Sequence, residues 1–143
     1  GFSSGDNRIR AAIYLSPTPP RKGQDPAQVY GYIDIPGIHF TGTLDSSPVN
    51  NTNAADRRIA FDNIRKSDQY LVILNGADHG VFGGRKRFMQ KPDDEKHQEV
   101  TERLSTAFLD AYLRNDSKAK EWLAQSAPSY VKPFGTYEMK KPR

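Results

Sequence analysis

The chain has 143 residues, enough for one ordinary domain with a single core and too few for two. Its 21 lysines and arginines stand against 17 acids, a formal charge of +4 that is scattered except at residues 85–87 (RKR) and 140–143 (KKPR), so no clustered phosphate-binding face and no nucleic-acid partner are expected. The absence of cysteine excludes disulfides and thiolate metal sites. No apolar run reaches the ~18–20 residues of a membrane span, and a hydrophobic content of 36% is low for a free-standing domain, as though part of a core lay elsewhere.

The opening at Gly1, with no Met and no signal-peptide pattern, fits a fragment or a processed chain. Residues 1–5, GFSSG, spell G-x-S-x-G, with Ser3 at the nucleophile position. No strand precedes them, however, and only Asp6 and Asn7 separate them from the next one, where a parallel crossover needs about 10–12 residues. Ser3 is therefore a weak nucleophile candidate, and a flexible lead into the strand is the simpler reading. The run RIRAAIYLS, residues 8–16, is nearly continuous in apolar residues and predicts a strand buried on both faces, ended by SPTPPRKGQDP. VYGYIDIPGIHFTGT, residues 29–43, predicts a second strand reached through Pro36-Gly37, with Asp45 just past its end. NAADRRIAFDNI has weak helical spacing from Asn53. QYLVILN, residues 69–75, predicts a third strand that stops at Gly76, a few residues before His79.

After Pro92 the period changes. Val100, Leu104, Ala107, Phe108, Ala111 and Tyr112 recur at helical spacing, with acids at the front and Arg114 near the end, and predict a long helix. Asn115-Asp116-Ser117 breaks it and caps a shorter one, SKAKEWLAQ, and residues 126–143 read as a C-terminal tail. Strands alternating with turns and helices place the chain in the α/β class and predict a single, partial domain over 1–143 with parallel strands flanked by helices.

In an open parallel sheet ligands bind beyond the carboxyl ends of the strands, where Asp45 and His79 both fall. A carboxylate that accepts the ring N–H of a histidine fixes its tautomer and leaves the other nitrogen as a general base. The spacing of 34 residues (79 − 45) leaves room for a helix and a return strand. Taken alone, Asp45 reads first as a turn residue before Ser46-Ser47-Pro48, and His79 as an exposed loop residue. Asp78 reads as a turn or supporting residue, Asp62 as a lesser rival for the acid, His39 as a buried hydrogen-bonded residue in a strand, and His97 as solvated. Phe108, Tyr112 and Trp122 read as core. Arg85 to Arg87 read as a solvated charge run, with a pocket rim for an anionic substrate as the rival. Three histidines without H-x-x-x-H spacing, and acids without a calcium-loop pattern, give no support to a metal site.

IPGIHFTGTLDSSPV, AADRRIAFD, YLVILNGADHGVFGG and TAFLDAYLRNDSKAKEWL together resemble the C-terminal half of α/β-hydrolase-fold serine esterases, in particular the dienelactone-hydrolase-like and platelet-activating-factor-acetylhydrolase-like branch. The resemblance runs through most of residues 8–125, with GTLD and GADH as its specific parts. It implies Asp45 as the triad acid, His79 as the general base, an ester substrate, no cofactor, and a nucleophilic serine and oxyanion loop in an N-terminal half upstream of residue 1. The other readings are a non-catalytic module that associates with a partner chain through an open sheet edge, and an anion-binding protein using Arg85 and Arg87.

Overall fold

A computed structural model describes residues 6–47, 51–83 and 91–143; GFSSG with Ser3, and the basic stretch Arg85 to Arg87, lie outside the described residues. The fold is α/β, a four-stranded sheet flanked by helices. Strands β1 (Ala12–Leu15), β2 (Gly37–Leu44) and β3 (Gln69–Asp78) are parallel neighbours in chain order, and β4 (Gly135–Lys140) runs antiparallel along β3. The expectation of a parallel sheet is corrected at that last strand. The expected tail over 126–143 is likewise corrected: it forms α5 (Ala127–Val131) and then β4. Pro128, Pro133 and Gly135 punctuate this stretch and hide its regularity, and GTYEMK, on the sheet edge, carries no continuous apolar run.

The helices are α1 (Pro26–Tyr30), α2 (Ile59–Asn63) behind a 3-10 turn (Ala54–Arg58), α3 (Asp94–Leu113) and α4 (Ser117–Gln125). The starts of α1 and α4 have a local cause. Asp25 accepts from the Ala27 N–H with Pro26 in the first turn, and Asp116 accepts from the Lys118 and Ala119 N–H groups after Asn115 turns through φ 57°. Side-chain alternation divides the sheet into two faces. On one, Ile38, Phe40, Tyr70, Val72 and Leu74 meet Val100, Leu104 and Phe108 of α3, together with Leu123 and Val131. Burying each such side chain stabilises the fold by about 1.5–3 kcal/mol. His97, expected in solvent, is buried, because it stands on the same α3 stripe as Val100, Leu104 and Phe108. β1 is an edge strand and only half-buried, not covered on both faces as its apolar run suggested.

On the other face His39 is fully buried, stacked on Tyr14 at 4.3 Å and edge-on to Phe61. The Gln69 amide donates to Ile35 and Ser67, so its oxygen accepts from the His39 Nε2–H at 2.9 Å, and Nδ1 is left as a buried lone pair without a partner. Burial pulls the pKa of His39 down to about 4, against the opposing pull of the Gln69 hydrogen bond. The unfolded chain therefore binds a proton that the folded one refuses. Stability should be full above about pH 6.5 and fall by about 3 kcal/mol as the pH drops toward 4. Thermal melts from pH 7 to 4, compared with His39→Phe, check this; an identical pH slope in the variant would contradict it.

Beyond Gly42 the two central strands lose register. Gly42 pairs with Leu74 and Leu44 with Asp78, so β3 advances four residues while β2 advances two. The extra length is taken up at Gly76, at φ 75°, whose N–H is held by Thr43 Oγ1 at 2.8 Å. A side chain at Gly42 would meet the Ala77 carbonyl at 2.1 Å, so the bulge closes tightly over β2. This carries the end of β3 across toward the end of β2.

Candidate active site

Three strand ends meet at the carboxyl edge of the sheet. β2 delivers Asp45, whose N–H turns back to the Gly42 carbonyl at 3.1 Å and whose side chain is wholly buried. β3 delivers His79, with its side chain 58% exposed and Val81, two residues on, buried in the core as an anchor. The structure brings the two sequence-predicted residues together: His79 Nδ1 lies 3.1 Å from Asp45 Oδ1.

β1 delivers a residue that the sequence reading used only as a strand end. Ser16 Oγ lies 2.9 Å from Asp45 Oδ1 and 2.7 Å from His79 Nδ1. Its backbone sits at φ 52°, a left-handed conformation that costs a residue with a Cβ about 1–2 kcal/mol. The conformation is held from two sides, by its own N–H to the Phe40 carbonyl at 2.8 Å and by Arg57 Nη1 to its carbonyl at 3.3 Å. Thr41 completes the shell, donating to Asp45 Oδ2 at 2.9 Å.

Arg57, in the 3-10 turn, is the buried counter-charge. Its Nε donates to the Asp45 carbonyl at 3.1 Å and stands 3.5 Å from Oδ1, while Nη1 also reaches the Pro17 carbonyl at 3.4 Å. The guanidinium so ties the end of β1 to the end of β2. Both charged side chains are fully buried, where a charge without a partner would be strongly destabilising. The 3-10 turn is seated by the Asp56 carboxylate on the Asn53 N–H at 2.8 Å.

No protein-family model and no curated protein matches the chain.

The other acids stand apart from this cluster. Asp62 is paired with Arg58 at 2.9 Å, and Asp78 accepts from the Gly80 N–H at 2.9 Å and from Lys91 at 3.1 Å, bracing the loop that carries His79. Among the described residues no group of three or more His, Cys, Asp or Glu side chains could hold a metal ion. No described helix is long and apolar enough to cross a membrane.

Chemically, the pair has a defined polarity. Asp45 is surrounded only by donors, so the ring offers it Nδ1–H and keeps an unprotonated Nε2. A buried carboxylate behind a half-exposed imidazole is an arrangement suited to removing a proton from a group that approaches from solvent. Ser16 is not that group: it is 6% exposed, lies against Nδ1 rather than Nε2, and its proton faces the carboxylate.

Proposed function

We propose that the chain supplies the acid and base of a serine-dependent carboxylic ester hydrolase. His79 Nε2 takes the proton of a serine as its oxygen attacks the ester carbonyl. The same nitrogen, now protonated, hands that proton to the departing alcohol. Water activated by His79 then releases the acyl group from the serine. Asp45 holds the ring throughout and stabilises the imidazolium. The observation that carries this reading is the 3.1 Å contact between a fully buried Asp45 and a half-exposed His79 at adjacent strand ends. The resemblance of GTLD and GADH to α/β-hydrolase esterases supports it further.

The serine is proposed to come from a segment N-terminal to Asp6, either Ser3 or a serine preceding Gly1. β1 is the edge of the described sheet, with Leu15 exposed beside it, so a further strand has a place to add next to Ser16 and His79. The test uses the intact polypeptide, a short-chain chromogenic aryl ester and a fluorophosphonate probe. One serine other than Ser16 should be labelled, and His79→Ala should lower both labelling and turnover by about 10⁴-fold or more. Turnover indifferent to His79→Ala would sink the proposal. Loss of turnover and label in Ser3→Ala would assign the nucleophile to GFSSG.

A further inference from the structure

Asp45 and His79 are joined less by their direct contact than through a third group. Ser16 Oγ is nearer to each of them, at 2.9 and 2.7 Å, than they are to each other at 3.1 Å. Donor accounting sets the directions. An ionised carboxylate only accepts, so the single Ser16 proton goes to Asp45 Oδ1, and the Oγ lone pairs then face Nδ1, which must donate. We infer that Ser16 is a positioning residue of the acid–base pair: its hydroxyl takes the larger share of the Nδ1–H bond and relays it to Asp45, holding the ring with Nε2 outward. This role rests on the hydrolase reading for its catalytic consequence but not for its geometry.

The surroundings fit a hydroxyl that is held rather than one that reacts. Ser16 is pinned by Phe40 through its N–H and by Arg57 through its carbonyl, so its backbone cannot withdraw without opening the β1–β2 end. The left-handed backbone provides a control. Ser16→Ala removes the hydroxyl and keeps the strain, whereas Ser16→Gly removes the hydroxyl and relieves it. A purely structural role would separate the two variants, with glycine behaving as well as serine. A positioning role would make them alike.

Nitrogen-15 NMR of the histidine ring on this chain reads the junction directly. In the parent chain the Nδ1–H tautomer of His79 should dominate. In both Ser16→Ala and Ser16→Gly the Nδ1–H signal should shift and Nε2–H should gain population. In the intact polypeptide both variants should lower kcat about 10- to 100-fold with KM within about twofold, the scale of one hydrogen bond to a charged group. An unchanged ring spectrum, an unchanged kcat in an active polypeptide, or a fluorophosphonate adduct on Ser16 itself would overturn the assignment. Should no form of the polypeptide turn over an ester, the hydrolase reading fails by itself, and the ring spectrum still decides whether Ser16 sets the tautomer.

Discussion

Asp45→Asn should lower ester turnover by about 10⁴-fold and leave the protein less stable by about 3–5 kcal/mol. Asparagine matches aspartate in size, so both losses report on charge and on donor direction. Asp45 accepts from the hydroxyls of Ser16 and Thr41, faces the His79 ring N–H, and stands beside the Arg57 guanidinium. An amide can turn only one oxygen toward this set of donors. With its oxygen toward Ser16 and His79 it meets Thr41 with an NH₂ group; turned the other way it drives His79 to the Nε2–H tautomer and removes the base. In both orientations a buried guanidinium is left without its counter-charge. Steady-state kinetics and thermal melting at one pH measure the two losses separately. An Asn variant that melts with the parent would show that the buried pair contributes little, and one that keeps its turnover would remove Asp45 from the mechanism.

Arg57→Met is the second large effect. Methionine fills similar apolar volume, but it leaves Asp45 as a lone buried carboxylate and takes a donor from the Asp45, Ser16 and Pro17 carbonyls. Unfolding by urea should show a loss of about 3–5 kcal/mol. Arg57→Lys restores the charge but offers one ammonium where the guanidinium spreads donors over three carbonyls, so it should recover part of that loss and not all of it. A methionine variant within about 1 kcal/mol of the parent would mean that the segment closes around Asp45 by packing alone. Turnover should fall with the methionine variant too, because the ends of β1 and β2 lose the group that holds them at a fixed distance.

What was legible in the sequence follows from the physics of each segment. β2, β3 and α3 announce themselves because each buries a long periodic stretch: Ile38 and Phe40, residues 69–74, and Val100 to Ala111. Asp45 and His79 were legible because they stand past strand ends, where such sheets bind ligands, and because GTLD and GADH resemble esterase motifs; position alone read Asp45 as a turn residue. The boundary of β2 was misjudged, since α1 (Pro26–Tyr30) takes Val29 and Tyr30, which the β-branched and aromatic spelling had joined to the strand. Propensity there yielded to the cap at Asp25-Pro26. His97 could have been placed by its spacing to Val100 and Leu104, which outweighs its polarity. Arg57 and Ser16 carried no such signal. A buried arginine is spelled like a surface one, and a serine after a strand like any turn residue; only the crossing of β1, β2 and the 3-10 turn in space makes them neighbours of Asp45.

The mismatch between β2 and β3 sets which side of the sheet the base serves. Side chains on a strand alternate with a period of two, and β3 exceeds β2 by an even number of residues between Leu74 and Asp78. The bulge nevertheless breaks the alternation: Val72 and Leu74 stand in the core, and so does Ala77, an odd number of residues beyond them. Residues 75–77 are thus a phase-setting spacer: the facing of the segment that leads to His79 is set there and not by the ladder upstream.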